Sequence, residues 1–366
     1  MKILLIGFAK MKYMPYMNFY LDQIDRRQHE VHVLIWNRDG KPEPREQGLV
    51  YHEFNSILSD DIPKYKKLAS FMRFRRFALS VLKRERFDFL FLLHSMPAIL
   101  LGTCASRHFK NRFIFDYRDY TYESNPLFRR KICRAVEDSW ATFVSSDAFR
   151  EALPNVSKIY TSHNVLTDAL EHRQQHIREP ELPLRISFWG YIRHEKTNCR
   201  IISALANDPR FELHYYGREQ EIAYRLKDHV EYVGAKNVFF HGEYDPRDRY
   251  TFSASTDIIH NIYSNTEAPS QQFAMTNKFY DGLMFYIPQL CMAGSYMGMV
   301  AEEKGVGLVC DPESAGFADT IWDYYHNIDW PFFYKSCDGT LKKVMEEYNL
   351  GRQVIENAIG DPERTE

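Results

Sequence analysis

The sequence lacks clustered cysteines, long apolar runs and an excess of either charge. Its six cysteines include no Cys-x-x-Cys pair and no cluster with histidine at metal-binding spacing. This spacing supports neither a disulfide framework nor a zinc site, and it favours a reducing cytoplasm. Forty-seven lysines and arginines against 49 acidic residues give a net charge of −2, so no global charge points to nucleic acid as a partner. The cysteines are Cys104, Cys133, Cys199, Cys291, Cys310 and Cys337.

No segment is apolar enough to predict a membrane span. The longest apolar stretch, residues 87–102, contains Asp88, His94 and Pro97. The stretch of apolar and small residues at 3–8 is too short for the core of a signal peptide, and it predicts a buried strand. We therefore expect a cytoplasmic protein.

The overall composition is that of a globular protein with two domains. Hydrophobic residues make up 45% and charged residues 26% of the 366 positions, which excludes disorder, collagen and coiled coil. The length exceeds that of a single ordinary core. Two domains are the working expectation.

Short β-rich runs alternate with longer helical patterns, which predicts β-α-β units and parallel sheets. We expect an α/β fold of two Rossmann-like domains in tandem that face each other across a cleft. The domains are 1–165 and 184–345, joined by a polar linker at 166–183, and 346–366 forms a helix or tail that crosses back to the first domain. Predicted strands are 2–6, 32–36, 51–54, 88–93, 112–116, 141–145, 158–161, 185–188, 212–216, 238–241, 258–262, 289–292 and 307–309, and predicted helices include 16–26, 97–108 and 125–138.

One segment, residues 64–87, departs from the even charge balance. It carries nine lysines and arginines against the single acid Glu85, and its apolar residues recur at helical spacing. Such a basic amphipathic helix can lie on an anionic membrane, held here by Arg73, Arg75 and Arg76. The alternatives are a core-facing helix with a solvated outer face and, with less support, a nucleic-acid contact.

Two stretches of the second half suggest nucleotide chemistry. A glycine follows the strand 185–188, and cations then stand at a predicted helix start, which is an arrangement that receives phosphate. Further along, Lys278 and Asp281 share one face of a short helix that ends before Pro288. The carboxylate can accept hydrogen bonds from the ribose hydroxyls of a nucleotide. The alternative is an ordinary exposed salt bridge between Lys278 and Asp281.

The order of these stretches resembles the donor-binding domain of GT-B glycosyltransferases, specifically the retaining, family 4-like group of capsule and O-antigen assembly. That family holds the donor diphosphate with a G-R-x-x-x-x-K-like loop. Gly190 and Lys196 match it, Tyr191 stands at the arginine position, and we expect Arg193 to supply the missing charge.

A second family stretch, K-x-x-E-A-x-A-x-G-x-P-V, places a glutamate on the nucleotide ribose. Lys278, Gly282, Met284 and Pro288 match it, with Asp281 in place of the glutamate. The donor-binding residues that the resemblance implies are Gly190, Lys196, Gly217, Asn277, Lys278 and Asp281.

The first half is similar to the family's acceptor domain. Its segment 116–123 matches a D-x-R-D-x-x-x-E pattern, which implies acceptor contacts by Arg118 and Glu123 and an orienting role for Asp119. His94 matches a histidine that the family delivers from a strand end. The alternatives are a structural ion pair of Arg118 and a purely structural His94.

Two family features are replaced in this sequence. Residues 8–12 stand where the family has a glycine-rich turn, and Phe273 stands at the first acid of a paired E-x7-E. We expect Glu267, in the loop 264–275, to take over the role of that acid at the sugar hydroxyls.

The resemblance implies transfer of a sugar from a nucleoside-diphosphate sugar, expected to be a UDP-sugar, to a hydroxyl of a saccharide acceptor. Arg193 and Lys196, with Lys278, would neutralise the leaving diphosphate. In a retaining enzyme the leaving phosphate takes the acceptor proton, whereas an inverting enzyme would use His94 or Asp119 as general base. The sequence has no Asp-x-Asp pair, so we expect neither a metal nor another cofactor.

The expected partners are the nucleotide sugar, a lipid-linked saccharide acceptor of capsule or O-antigen synthesis, and an anionic membrane surface, with no nucleic acid. The protein would then be peripheral on the inner face of the plasma membrane. Two alternatives stay open: a nucleotide-sugar 2-epimerase, and a non-catalytic nucleotide-sugar-binding or scaffold protein on the same fold.

Overall fold

The computed structural model describes residues 1–58, 64–120, 123–173, 183–263 and 272–360. The chain divides into two compact units. Unit 1 consists of Met1–His163 together with the segment from Glu346 onward, and unit 2 consists of Asn164–Met345.

Unit 1 contains a seven-stranded parallel sheet in the order β3-β2-β1-β4-β5-β6-β7. The order reverses direction between β1 and β4, and ligands of such sheets bind beyond the carboxyl ends of the strands at this point. Its strands are β1 (Lys2–Ile6), β2 (Glu30–Asn37), β3 (Leu49–Asn55), β4 (Phe89–Leu93), β5 (Phe113–Tyr117), β6 (Ala141–Val144) and β7 (Ile159–Thr161), and its helices are α1 (Met17–Leu21), α2 (Lys64–Arg84), α3 (Ser95–His108) and α4 (Pro126–Asp138).

Unit 2 contains a six-stranded parallel sheet in the order β10-β9-β8-β11-β12-β13. Here the reversal lies between β8 and β11. Its strands are β8 (Leu184–Trp189), β9 (Phe211–Tyr216), β10 (Val238–Gly242), β11 (Ile258–Asn261), β12 (Gln289–Met292) and β13 (Gly307–Cys310), and its helices are α5 (Glu195–Leu205), α6 (Glu221–Val233), α7 (Arg249–Ser253), α8 (Asn277–Met284), α9 (Tyr296–Lys304) and α10 (Phe317–His326). A last helix, α11 (Trp330–Gly360), begins in unit 2 and ends in unit 1.

The central strands are apolar on both faces because helices cover both sides of a parallel sheet. Strands β4 and β5 are buried at every position, and β1 is buried at all but its first. Each of these strands is therefore a short continuous apolar run in the sequence. The prediction of two Rossmann-like α/β domains in tandem is confirmed.

All thirteen predicted strands are present, with ends that differ by at most two residues. The predicted helix 16–26 is too long, because α1 ends at Leu21. The chain turns soon after it, where the Asp25 carboxylate accepts the backbone N–H of Arg27 at 2.9 Å. Such local side-chain bonds compete with helix formation.

Helix α2 packs one narrow stripe against its unit. Ser70, Phe74, Ala78 and Val81 are buried at spacings of three and four residues, and most of the other described positions are partly or fully exposed. No helix in the described part of the chain is long and apolar enough to cross a membrane.

Candidate functional site

The loop after β8 lies at the strand reversal of unit 2. Gly190 has a φ of +121°, a conformation that L side chains rarely adopt. A Cβ on Gly217, the residue that follows β9, would lie 2.1 Å from the carbonyl oxygen of Gly190. Gly190 is therefore suited to its backbone conformation, and Gly217 allows the close approach of the two strand ends.

Asn198 fixes the conformation of this loop from inside helix α5. Its Nδ2 donates to the carbonyl oxygen of Arg193 at 2.7 Å. Its Oδ1 accepts from the hydroxyl of Tyr215 at 3.1 Å and from Nε2 of His260 at 3.0 Å. Burial lowers the pKa of His260 to about 3, so this ring is neutral. The backbone N–H of Ile262 donates to its Nδ1, which places the ring proton on Nε2.

Two of the predicted cations project from this loop region. Arg193 and Lys196 are both exposed, and the guanidinium of Arg193 lies 4.8 Å from the ring centroid of Tyr191. Lys196 is in the first turn of α5, whose N-terminus carries the positive end of the helix dipole. The loop therefore presents two cations and a helix N-terminus at one place.

Lys278 is buried beside the same strand reversal, with 6% of its surface exposed. Its ammonium donates to the hydroxyl of Tyr263 and lies 4.2 Å from the ring centroid of Phe188. Burial, together with the positive charge of Arg193, lowers the pKa of Lys278 to about 7, although Asp281 partly opposes this shift. A cation in apolar surroundings, with another cation near it, is a suitable partner for an anionic ligand.

Asp281 lies one turn further along α8 and is turned to different partners. Its Oδ1 accepts from Nε of Arg249 at 2.8 Å, and its Oδ2 accepts from Nε1 of Trp189 at 2.9 Å. Because Lys278 and Asp281 are both buried, the alternative of an exposed salt bridge between them is wrong. Asn277, the first residue of α8, is half-buried.

His94 and Asp119 form a close pair at the strand reversal of unit 1. Nε2 of His94 lies 2.6 Å from the Asp119 carboxylate, which is about half exposed. The backbone N–H of Met96 donates to Nδ1 of His94 at 3.2 Å, so the proton of the neutral ring faces Asp119. The φ of His94 is +88°, an uncommon conformation for a non-glycine residue, often associated with functional sites.

Arg118 and Glu123, the other predicted acceptor residues, are buried. Nε of Arg118 donates to Asp116 at 2.7 Å, and an NH2 group donates to Ser162 at 2.8 Å. The structure therefore contains the internal ion pair that was the alternative for Arg118. Burial raises the pKa of Tyr117, and the nearby Glu123 adds to this effect. Glu267 lies outside the described residues.

The turn after β1 is closed by side chains of unit 1. The backbone N–H groups of Met11 and Lys12 donate to the Glu43 carboxylate at 3.2 and 2.8 Å. Lys10 is buried and pairs with Asp39. The Glu43 carboxylate thus accepts hydrogen bonds from the backbone N–H groups that a glycine-rich turn would offer to a ligand.

The three predicted membrane arginines of α2 differ in their surroundings. Arg73 and Arg76 are exposed. Arg75 is half-buried, and its Nε donates to the carbonyl oxygen of Leu100 in α3 at 2.9 Å. Arg75 therefore contributes to packing between two helices.

Several residues of the site could not be recognised from the sequence. Asn198, Tyr263 and Arg249 are ordinary polar residues in helices and loops, and only their contacts with distant segments give them a role. A buried arginine of this kind has no sequence signal. Among the described residues, no group of three or more His, Cys, Asp or Glu side chains is arranged to hold a metal ion.

No protein-family model matches the sequence, and no curated relative is found for it. Solved structures nevertheless share its architecture along almost the whole chain. Anabaena HepE, solved in complex with UDP and glucose, is 13% identical, with a TM-score of 0.62 and 98% of each chain covered.

Two further structures are similar at the same low level of identity. WaaG, a glycosyltransferase involved in lipopolysaccharide biosynthesis, is 10% identical, with a TM-score of 0.63 over 99% of this chain and 100% of that one. A UDP-N-acetylglucosamine 2-epimerase-like structure from Listeria monocytogenes is 13% identical, with a TM-score of 0.55 over 92% and 90%. Together with the two parallel sheets, these similarities show that the chain has the GT-B fold.

Proposed function

We propose that this protein is a glycosyltransferase that moves a sugar from a UDP-sugar to a hydroxyl of a saccharide acceptor. The observation that carries this proposal is the group of cations at the strand reversal of unit 2. Buried Lys278, exposed Arg193 and the N-terminus of α5 surround a glycine loop that suits a diphosphate.

The chemistry requires that negative charge on the leaving diphosphate be stabilised as its bond to the sugar breaks. Fixed cations are most effective where water is scarce, because the charge they face is not screened. We assign this role to Lys278 and Arg193, with Lys196 as a third cation. A side-chain clamp of this kind can neutralise the diphosphate, and we propose retention of configuration at the sugar.

The acceptor side of the proposal rests on His94 and Asp119. In the neutral tautomer, both nitrogens of His94 are engaged, one by the N–H of Met96 and one by Asp119. Asp119 is therefore the member of the pair that can face an acceptor hydroxyl, and His94 orients it. In an inverting reaction Asp119 would be the general base.

The nature of the donor is suggested by the solved structure of HepE with UDP and glucose. A role in surface polysaccharide synthesis is suggested by WaaG, which is involved in lipopolysaccharide biosynthesis. We extend both to this chain as part of the proposal.

We further propose that the acceptor is lipid-linked and that α2 rests on an anionic membrane on the cytoplasmic side. Leu68 and Met72 are exposed on α2, 58% and 39% respectively, next to the exposed Arg73 and Arg76. Apolar side chains beside cations can enter the interface between headgroups and acyl chains.

Nucleotide binding is the first test. UDP, GDP, CMP, ADP and dTDP would be compared for their effect on thermal unfolding of the wild type and of Lys278→Met. We expect UDP to stabilise the wild type, since a ligand that binds the native state raises its stability by mass action. Loss of a charged hydrogen bond should weaken binding about tenfold to a hundredfold in the variant.

The matched control is Lys335→Met, at an exposed position on α11. It should respond to UDP like the wild type. A wild type that responds to none of the five nucleotides would refute the proposal and favour the non-catalytic alternative.

A second candidate function is epimerisation at C2 of the nucleotide sugar, which the similarity to the Listeria structure favours. Incubation with UDP-N-acetylglucosamine in the absence of an acceptor separates the two functions. An epimerase forms the C2 epimer under these conditions, whereas a transferase leaves the donor intact or slowly releases UDP.

A further inference from the structure

Asp281 and Arg249 form a buried ion pair inside unit 2, with 2% and 1% of the two side chains exposed. Every N–H of the Arg249 guanidinium has a partner. Nε donates to Asp281, one NH2 group donates to Asp168 and to the carbonyl oxygen of Pro246, and the other donates to Asp168 and to that of Leu166. A guanidinium has five such donors, so its hydrogen-bonding capacity is filled.

This network joins the two segments that form the cationic site. Trp189 is the last residue of β8 and directly precedes Gly190. Asp281 lies three residues after Lys278 in α8. The hydrogen bond from Nε1 of Trp189 to Asp281 therefore connects the start of the Gly190 loop to α8, the helix that carries the buried Lys278.

The same contacts restrict what Asp281 can do for a ligand. Each of its oxygens already accepts a hydrogen bond from a buried donor, and the side chain has almost no exposed surface. Turning the carboxylate toward a ribose would leave Nε of Arg249 and Nε1 of Trp189 without an acceptor in a buried place, and the loss of buried hydrogen bonds is unfavourable.

We propose that Asp281, Arg249 and Trp189 are positioning residues that hold the Gly190 loop and α8 at the spacing a diphosphate requires, and that Asp281 does not bind the donor ribose. This inference rests on the proposed function, because it concerns the same donor site. It assigns Asp281 an effect on the phosphate groups, through Lys278 and the loop.

Inorganic pyrophosphate separates the two roles, because it has no ribose. Binding of pyrophosphate and of UDP would be measured by calorimetry for the wild type and for Asp281→Asn. If Asp281 positions the phosphate site, the variant lowers the affinity for pyrophosphate and for UDP by the same factor, about tenfold. If Asp281 binds the ribose, the variant lowers the affinity for UDP but not that for pyrophosphate, and the proposal is overturned.

Ligand discrimination gives an independent readout. The ratio of the Kd values of 2′-deoxy-UDP and UDP should be the same in the wild type and in Asp281→Asn. A ratio that falls to one in the variant would assign the 2′-hydroxyl contact to Asp281 and overturn the proposal. Asp248→Asn, the same exchange at an exposed position, should change neither ligand.

A milder variant guards against loss of folding. Trp189→Phe removes the Nε1–H donor and part of the buried ring but keeps the ion pair with Arg249. We expect a smaller but again equal loss of affinity for pyrophosphate and UDP. Asp281→Glu keeps an acid at this position, and it should bind both ligands more tightly than Asp281→Asn does. A wild type that binds neither ligand refutes the proposed function itself, whereas unequal effects on two bound ligands refute only the positioning role.

Discussion

Lys278 shows how strongly the surroundings of one side chain can change its chemistry. An amine in water has a pKa of 10.5, and burial among aromatic rings lowers the pKa of Lys278 to about 7. Four groups surround the Lys278 amine. His260 lies in β11, and Tyr263 follows that strand. Arg193 lies in the loop after β8, and Asp281 lies in the same helix as Lys278. A bound diphosphate would add negative charge and raise the pKa of the amine again.

We therefore expect binding of UDP to be coupled to uptake of a proton by Lys278. Above about pH 7 the free amine is mostly neutral, so affinity should fall as the pH rises, until the pKa of the complex is reached. Below about pH 6 the ammonium is already present, and this group adds no pH dependence. Calorimetry at about pH 8 in buffers of different ionisation enthalpy measures the proton uptake, which should approach one per UDP.

The control for this prediction is Lys278→Arg, because a guanidinium stays charged at every pH used. Uptake at about pH 8 should disappear in this variant. Equal uptake in the wild type and in Lys278→Arg would assign the proton to another group.

A second prediction at the scale of single residues concerns Gly217. In Gly217→Ala the new methyl group would overlap the carbonyl oxygen of Gly190, so one of the two strand ends must move. We expect a loss of about 1–3 kcal/mol in the free energy of unfolding, together with weaker UDP binding. Thermal unfolding and UDP titration measure both.

Gly339→Ala is the matched control, since nothing lies within 4 Å of the added atom. It lies within α11, where alanine is the better helix former. The free energy of unfolding should therefore rise slightly, and UDP binding should stay unchanged. A similar loss in both variants would show that the contact with Gly190 is unimportant.

At the scale of elements, local pattern was sufficient for the strands but insufficient for the contacts of the site. The strands are short apolar runs bounded by turn residues, and this signal is contained in each segment. By contrast, Asp281 meets partners that lie 32 and 92 residues away in the sequence. Such contacts depend on how helices and strand ends come together, which no local pattern specifies.

The predicted cations illustrate the same limit. The sequence predicted Lys278 as a donor-binding residue, but it did not predict that the side chain is buried beside Phe188 and Tyr263. It grouped Arg73, Arg75 and Arg76 as one basic surface, although Arg75 binds the backbone of α3.

Helix α2 leads to a prediction about membranes. The double variant Arg73→Glu with Arg76→Glu should lose binding to vesicles that contain anionic lipid, because each cation near such a surface contributes about 1 kcal/mol. Sedimentation with anionic and with neutral vesicles measures this. Lys335→Glu with Lys342→Glu makes the same change of charge at exposed positions of α11 and should leave binding unchanged.

Unchanged sedimentation of the α2 variant would contradict the membrane proposal. The sedimentation of both double variants should also be compared in high salt, because attraction between a helix and anionic lipid is screened. An equal loss in the two variants would indicate a general charge effect, with no specific role for α2.

At the scale of the whole molecule, the core of unit 1 is built from two distant parts of the sequence. Ile355, Ala358 and Ile359 of α11 are buried among residues of β1, β4 and α1. Arg352 donates to Gln23 at 2.7 Å, and Tyr348 packs against Phe19 with ring centroids 4.9 Å apart. The end of α11 is thus an integral part of the first unit.

We expect Ile355→Ala to destabilise unit 1 by about 2–5 kcal/mol, since its side chain is fully buried. Hydrogen exchange should become faster in β1 and β4 and stay the same in β8. Glu356→Ala, at the neighbouring exposed position, should have little effect. Faster exchange in β8 as well would contradict the division into units.

The position of these core residues in the sequence also constrains the order in which the protein can be made. A ribosome releases all of unit 2 before it releases the segment that completes the core of unit 1. The N-terminal unit must therefore wait, with an apolar surface uncovered, while the following 182 residues are synthesised. During that interval the nascent chain has an exposed site at which chaperones can bind.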